Sequence, residues 1–199
     1  MRKFCWAALA ASVAFAAVSF SPATADDEKD KLKVENEVPY VPTHHKVVAA
    51  MLKMAAVKEG DTVYDLGCGD GRIVIAAVKD FKAKKGLGVD FNKARLRDCE
   101  ASVKEAKLTD AQAKALTFRH GDVLKLIPED FKDVDVVTLY LLPSVNRSLK
   151  PILLKGLKPG ARVVSHDFDM GDDWKEDKKE EVEADRTHTV YLWTIKEKK

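Results

Sequence analysis

The sequence has few cysteines and no grouped metal ligands. Its three cysteines, Cys5, Cys68 and Cys99, lack the regular spacing of a disulfide framework, so we predict free thiols. The adjacent pair His44 and His45 is not joined by any Cys/His cluster with zinc-ligand spacing. The sequence therefore argues against a disulfide-stapled scaffold, and we predict no metal site.

The sequence also lacks an excess of charge once its N-terminus is set aside. Two of the 34 basic residues, Arg2 and Lys3, lie at the extreme N-terminus, and the other 32 balance the 32 acidic residues. Proteins that bind nucleic acid do so through a basic surface. A neutral domain therefore argues against nucleic acid as a partner.

The N-terminus has the three parts of a secretory signal. Arg2 and Lys3 precede an apolar run, residues 4–20, and small residues lead to Ala25. We predict a signal peptide over residues 1–25, a charged linker over 26–37, one domain over 38–199, and export to the periplasm. The alternative is an uncleaved anchor, near the short limit for crossing a bilayer, that associates with the inner membrane and leaves the domain facing the cytosol.

Beyond the linker, strands and helices alternate. Thr43 is the expected N-cap of a first helix over 44–56. The pattern then predicts strands over 62–66, 86–90, 116–120, 134–140 and 162–166, with helices over 71–79, 93–107 and 145–155. A last strand over 189–195 is expected to pair antiparallel near 181–184, and the charged segment 175–183 is expected to be a solvated loop. This alternation predicts an α/β fold, a mostly parallel sheet with helices on both faces.

The most informative segment follows the first strand. Asp65 ends that strand, and the glycines that come after it have the pattern Gly67-Cys68-Gly69-Asp-Gly71. A dinucleotide fingerprint would need a further glycine where Arg72 stands. Asp65 would repel a pyrophosphate but could pair with an ammonium group. The loop therefore favours a zwitterionic nucleoside, bound near the positive end of a helix.

Acidic residues end the next two strands. Asp90 follows Gly67 by 23 residues, a spacing at which a carboxylate can accept hydrogen bonds from both ribose hydroxyls. Its alternative role is a helix cap. Asp122 could accept from an adenine amino group, or it could simply close a turn.

Two further strand ends carry candidate catalytic groups. Tyr140 follows an apolar strand, where it could shape the acceptor pocket or belong to the core. His166 and Asp167 end another strand, where the histidine could act as a base or the pair could position the following loop.

In order and spacing these residues resemble the class I S-adenosylmethionine (SAM) methyltransferases over residues 40–195. A closer resemblance is to the membrane-tethered mitochondrial protein-lysine methyltransferases, which modify the ATP synthase c subunit and the adenine nucleotide carrier, and to their bacterial relatives. It is carried by Tyr40-Val-Pro-Thr43, by residues 69–77 and by the ending 191–195. The resemblance implies a Rossmann-like seven-stranded sheet, with cofactor binding at Asp65, Gly67, Gly69, Asp90 and Asp122, and with Tyr40 and Thr43 at the cofactor edge.

The resulting expectation is a monomeric enzyme that methylates a protein lysine with SAM. The amine must reach the methyl group uncharged, and Tyr140 and His166 are the candidates that help it to do so. Two alternatives stay open: a methyltransferase of small amines or other small molecules, and an exported nucleoside-binding module without activity. The acceptor and its degree of methylation are not determined by the sequence.

Overall fold

The structure, a computed structural model, describes residues 40–197. Its helices are α1 (His45–Met54), α2 (Arg72–Lys79), α3 (Lys93–Glu105), α4 (Asp110–Lys114) and α5 (Pro143–Gly156). Its strands are β1 (Thr62–Leu66), β2 (Lys85–Asp90), β3 (Leu116–His120), β4 (Val136–Leu139), β5 (Arg162–His166), β6 (Lys178–Glu183) and β7 (Thr187–Thr194). Two 3₁₀ turns, Val123–Lys125 and Pro128–Phe131, lie between β3 and β4.

The strands form one seven-stranded sheet in the order β3-β2-β1-β4-β5-β7-β6. Neighbours from β3 to β5 are parallel, whereas β7 runs antiparallel to both β5 and β6. The predicted α/β, Rossmann-like architecture is thus confirmed. Because the chain leaves β1 in one direction and returns to β4 on its other side, the sheet has a switch point there, where a crevice opens beyond the carboxyl ends of the strands.

Helices cover both faces of the sheet. All five residues of β1 are buried, as expected for a central strand between two helical layers. One apolar cluster joins α5 to the sheet through Leu149, Leu153 and Trp193, and the other joins α1 and α2 through Met51 and Val74. These two layers hold the strand ends, and therefore the crevice, in place.

The helix over 44–56 begins one residue later than expected. The N-cap is His44, whose Nδ1 accepts from the Lys46 backbone, so the prediction that Thr43 is the cap was wrong. The buried Thr43 side chain instead turns inward to His166. Tertiary contact has outweighed a local capping preference.

The charged segment near the C-terminus was predicted wrongly as a loop over 175–183, whereas the antiparallel pairing expected near 181–184 is confirmed. Residues Lys178–Glu183 form β6, paired antiparallel with β7 from Lys178↔Leu192 to Glu183↔Thr187. The strand lies at the edge of the sheet and its side chains are almost all exposed. Charged side chains suit such an edge because they prevent pairing with further chains.

The proposed signal peptide or anchor and the linker, residues 1–37, lie outside the described residues. Between residues 40 and 197, no helix is both long and apolar enough to cross a membrane.

Candidate cofactor and acceptor site

The glycine-rich loop joins β1 to α2 beneath the crevice. Its backbone is tied to the neighbouring strand, because the amides of Gly67 and Cys68 both donate to the carbonyl of Val89, at 2.9 and 3.0 Å. Gly69 has a φ of 54°, and a Cβ there would lie 2.6 Å from the ring of Tyr40. Only glycine allows this left-handed backbone and this close approach together.

Asp65 lies at the carboxyl end of β1 and is 2% exposed. Its Oδ1 accepts a 2.6 Å hydrogen bond from the Thr138 hydroxyl of β4. Burial raises the pKa of this carboxyl to about 7, with smaller contributions from the nearby Asp90 and Asp70. Within residues 40–197 no lysine or arginine forms an ion pair with it. A bound ammonium group would supply the missing positive charge.

Asp90 ends β2 beside the loop. Its Oδ2 accepts from the Gly69 amide at 2.9 Å, and its Oδ1 accepts from the Asn92 amide at 2.8 Å. The cap of α3 is Asn92, so the alternative role of Asp90 as that cap does not apply. Each carboxylate oxygen keeps a second lone pair, so two hydroxyl groups can still be accepted.

Asp122 has the role of a turn cap and also lines the cavity. Its Oδ1 accepts from the Leu124 amide at 2.9 Å, which starts the first 3₁₀ turn. Two large apolar side chains near it, Phe91 and Leu124, are 46% and 48% exposed and line the same cavity. They offer flat apolar surface to a base. Phe91 follows Asp90 directly, and an exposed aromatic in that position is a signal that the sequence reasoning missed.

The segment from Tyr40 to Thr43 lies over the loop and is held there by two arginines. Arg95 stacks on the Tyr40 ring, with its Cζ 4.5 Å from the ring centroid. Arg72 donates to the Thr43 carbonyl at 2.9 Å while it forms a two-pronged ion pair with Asp70. Arg72, noted in the sequence only as the residue that replaces a glycine, therefore holds this segment in place.

These elements enclose one continuous cavity of about 410 Å³, within the usual range for small-molecule sites. Of the residues predicted to bind cofactor, all but Gly71 line it: Tyr40, Thr43, Asp65, Gly67, Cys68, Gly69, Asp90 and Asp122. Gly71 instead packs against Phe118 and Cys99 below the loop.

One end of the cavity is aromatic. Tyr140 and Phe168 both line it, with ring centroids 6.2 Å apart and planes inclined by 18°. Burial raises the pKa of the Tyr140 phenol above its ordinary value, and the Asp167 carboxylate raises it further. Tyr140 is therefore a neutral hydroxyl at physiological pH.

His166 does not reach the cavity wall. It is 1% exposed and lies behind Tyr140, with the two ring centroids 3.9 Å apart. Burial lowers its pKa to about 4, so the imidazole is neutral at pH 7. Thr43, whose Oγ1 lies 3.2 Å from His166 Nδ1, stands between the imidazole and the cavity.

His166 and Asp167, which the sequence suggested as a pair, belong to a larger polar cluster with His188 and Asp185 that it did not indicate. Nε2 of His166 lies 2.8 Å from Nδ1 of His188 on β7, and Nε2 of His188 lies 2.9 Å from Asp185 Oδ1. Asp167 adjoins both imidazoles at 3.4 and 3.6 Å and is paired with Arg186. His188 is 22 residues from His166, so only the antiparallel pairing of β5 with β7 brings them together.

The loop cysteine also has a partner that spacing did not suggest. Cys68 and Cys99 are both buried and free, and Cys99 donates from Sγ to the Gly69 carbonyl at 3.1 Å. Contact with the Cys99 thiol and burial together raise the pKa of Cys68. The thiols therefore contribute packing beneath the loop.

The cavity suits a sulfonium nucleoside that carries an amino acid. Asp65 is a buried carboxylate in need of a cation, Asp90 has free acceptor capacity for hydroxyl groups, and the glycine loop leaves its backbone open to the ligand. SAM supplies an electrophilic methyl group when it is bound.

Comparisons with known proteins agree with this geometry. The profile of the ANTKMT methyltransferase domain matches residues 65–178. A protein-lysine N-methyltransferase of Saccharolobus islandicus (strain REY15A) is 47% identical over 163 residues, 81% of this chain and 96% of that protein. The adenine nucleotide translocase lysine N-methyltransferase of Mus musculus is 32% identical, over 67% of this chain and 55% of that protein.

A solved structure extends the agreement to the fold and the cofactor. The RNA methyltransferase of Salinibacter ruber, crystallised with S-adenosyl-L-homocysteine, is 46% identical and superposes with a TM-score of 0.69, covering 79% of this chain and 95% of that one. The predictions of an enzyme and of SAM as its cofactor are confirmed. By its fold, its cavity and these similarities, the chain belongs to the ANTKMT family of SAM-dependent methyltransferases.

Proposed function

We propose that this enzyme transfers the methyl group of SAM to the side-chain amine of a lysine in a protein. The similarity to a protein-lysine N-methyltransferase over 96% of that protein's length supports a lysine acceptor. The observation that carries the proposal is the aromatic end of the cavity, where the rings of Tyr140 and Phe168 lie 6.2 Å apart and Thr43 also lines the wall. Aromatic faces bind the stem and the cationic head of lysine, and hydroxyl groups accept its N–H hydrogens.

The same end of the cavity favours the uncharged amine that attack requires. A lysine in water has a pKa of about 10.4, and transfer to a poorly hydrated aromatic environment lowers that value. Tyr140 is the candidate that contacts the amine directly. His166, the other candidate, lies behind Thr43 and can act only through it.

The acceptor class is tested by labelling. Purified protein is incubated with [methyl-³H]SAM and, separately, with membrane proteins, soluble proteins, total RNA and the small-molecule fraction of host cells. We expect label in one or a few proteins and methyl-lysine after their hydrolysis, located by mass spectrometry. The Asp65→Asn variant, in which we expect much weaker cofactor binding, is the control.

The other fractions decide the alternatives. The Salinibacter relative is described as an RNA methyltransferase, so label confined to RNA would contradict the proposal and favour nucleic acid. Label confined to the small-molecule fraction would instead favour the small-amine alternative.

We propose further that residues 1–25 direct the chain to the inner membrane, either as a cleaved signal or as an anchor through residues 4–20. The basic start, apolar run and small residues before Ala25 support this. Alkaline phosphatase, active only after export, is fused to the C-terminus of the full chain, beside a fusion fluorescent only in the cytosol. Phosphatase activity alone would place the domain in the periplasm, where SAM would have to be imported. Fluorescence in the membrane fraction would indicate an anchor with the domain in the cytosol, and fluorescence in the soluble fraction would contradict both.

A further inference from the structure

The four-residue network Thr43–His166–His188–Asp185 runs from the cavity wall to the surface. Its three links measure 3.2, 2.8 and 2.9 Å. Thr43 is 4% exposed at the cavity end, both imidazoles are buried, and the side chain of Asp185 is 63% exposed at the far end. Charge at one end can therefore set the direction of every hydrogen bond in the series.

The direction follows from the acceptor-only chemistry of a carboxylate. Asp185 can only accept, so Nε2 of His188 carries the hydrogen. A neutral imidazole has a single N–H, which leaves Nδ1 of His188 to accept from Nε2–H of His166. Nδ1 of His166 is then a bare lone pair, and the Thr43 hydroxyl must donate to it.

We propose that this network makes Thr43 an obligate hydrogen-bond acceptor for the incoming lysine amine. The inference rests on the proposed function. Thr43 belongs to the cavity wall, and with its one hydrogen committed to His166 its hydroxyl has only oxygen lone pairs left for a ligand. An amine N–H bound there turns the nitrogen lone pair away from the wall. Thr43 is thus a substrate-contacting residue, whereas His166, His188 and Asp185 are positioning residues.

This direction of the hydrogen bonds requires both imidazoles to be neutral. The groups that face them are Tyr140, whose ring stacks on His166, the carboxylate of Asp185, which lies 2.9 Å from His188, and Asp167, which is itself paired with Arg186. Arg186 balances the charge of Asp167, so Asp167 does not require a protonated histidine beside it. A carboxylate that holds an imidazole in one tautomer is a device that hydrolases also use.

The same groups could in principle hold a metal ion, because ligand atoms of His166, Asp167 and His188 lie within 4.8 Å of one another. Two observations favour hydrogen bonds instead. The Arg186 guanidinium occupies the Asp167 oxygen that a cation would need, and the two facing nitrogens already lie at 2.8 Å, a hydrogen-bond distance.

The first test compares two substitutions of Thr43. Thr43→Val keeps the shape and removes the hydroxyl, whereas Thr43→Ser keeps the hydroxyl. With a lysine peptide from the protein labelled above, we expect kcat to fall about 100-fold in the valine variant and to stay within about threefold of wild type in the serine variant. The Kd for SAM, measured by calorimetry, should change by less than about threefold in both, which shows that the cofactor site is intact.

The second test removes the carboxylate that fixes the tautomers of His188 and His166. Asp185→Asn can present either an oxygen or an N–H to His188, so the direction of the network is no longer set. We expect kcat to fall about tenfold with KM unchanged, as for loss of an orienting group. Asp172→Asn, at another exposed carboxylate that lies outside the network, should leave kcat unchanged.

Nitrogen-15 NMR of the histidines in the whole, cofactor-free protein reads the network without any substrate. Wild type should show His166 and His188 as neutral Nε2–H tautomers at pH 7, and Asp185→Asn should show a mixture at His188. Added Zn²⁺ should not shift either signal in wild type. Shifts typical of coordination, or the opposite tautomers, would overturn the proposal.

The role of Thr43 and the lysine methyltransferase activity can be refuted separately. A valine variant with wild-type kcat would refute the role of Thr43 and leave the lysine methyltransferase standing. Wild-type protein that methylates no lysine would overturn the proposed function and the acceptor role with it, while the NMR signals still report whether the network exists.

Discussion

The carboxylate of Asp65 and the hydroxyl of Thr138 face each other across β1 and β4 and share a 2.6 Å hydrogen bond. Both side chains are buried, and no cation of the described chain pairs with Asp65. A charge in this position destabilises the cofactor-free protein and becomes favourable when an ammonium group binds. Part of the binding free energy for SAM should therefore come from giving this buried carboxylate a cationic partner.

Replacing Asp65 should weaken cofactor binding and stabilise the fold. We expect Asp65→Asn to raise the Kd for SAM at least about 100-fold, because the partner of the ammonium group is lost. At pH 8 the cofactor-free variant should unfold with a free energy about 2–4 kcal/mol higher than wild type, because no buried charge remains. Calorimetry and urea denaturation measure the two effects. Asp135→Asn is the control, since that carboxylate binds Lys158 and the Thr62 amide and its loss should lower stability without affecting SAM.

The stability of the cofactor-free protein should depend on pH through the same group. The pKa of Asp65 is raised in the folded state to about 7 from 3.8, so its contribution is fully present below pH 3.8 and is lost as the pH rises through 7. The difference in unfolding free energy between Asp65→Asn and wild type should therefore grow from pH 4 to pH 8. A difference that is constant over this range would contradict a raised pKa.

Below pH 7, the affinity for SAM should change with pH in the opposite direction to the stability of the cofactor-free protein. Asp65 must be ionised to pair with the ammonium group, so the affinity for SAM should rise with pH up to about 7. It should fall again above about 8, where an α-amino group loses its proton. 5′-Methylthioadenosine lacks the amino-acid part, and its Kd should show neither change. An equal pH dependence for both ligands would place the ammonium group elsewhere.

Gly71 should be more sensitive to a methyl group than Gly60, another glycine with positive φ. It has a φ of 78°, and a Cβ there would lie 2.7 Å from Phe118 and 3.2 Å from Cys99 Sγ. At Gly60, with a φ of 92°, no described residue beyond the chain neighbours comes within 4 Å of the same atom. We expect Gly60→Ala to cost about 1 kcal/mol in unfolding free energy and Gly71→Ala about 2–4 kcal/mol, because overpacking adds to backbone strain. Urea denaturation of both variants at pH 8 measures the difference.

The thiols beneath the loop should be slow to react. The contact with the Cys99 thiol and burial raise the pKa of Cys68, so little thiolate forms at neutral pH. Mass spectrometry of native protein treated with iodoacetamide at pH 7.5 should show Cys68 and Cys99 unmodified, and both should be alkylated after denaturation in urea. Rapid modification of Cys68 in native protein would show that the loop opens readily.

Local patterns were sufficient for the cofactor side of the site. Glycine spacing and strand-terminal acids are short-range features, and parallel strands bring their carboxyl ends to one edge whatever the remaining packing. Asp65, Asp90 and the loop therefore lie where the sequence predicted them. Asp122 also lines the cavity, although its visible hydrogen bond belongs to a turn. The roles of these residues in binding remain predictions.

The predictions from the sequence were wrong where a tertiary contact competed with a local structural preference. Thr43 has the chemistry of an N-cap, but its hydroxyl turns to His166, which is 123 residues away. The charged segment of β6 has no apolar pattern of its own, and it is a strand because β7 offers an unpaired edge.

Alternation of strands and helices, together with the glycine loop, was enough to specify the architecture and the cofactor pocket, because both depend on periodicity and on the geometry of parallel strand ends. The acceptor side depended on three-dimensional packing. His166 and His188 meet only because β5 and β7 pair antiparallel, and Thr43 completes their network only because Arg72 holds its segment over the loop. Contacts between residues far apart in the sequence leave no local sequence pattern. The hydrogen-bonded network of Thr43, His166 and His188 is therefore visible only in the folded sheet.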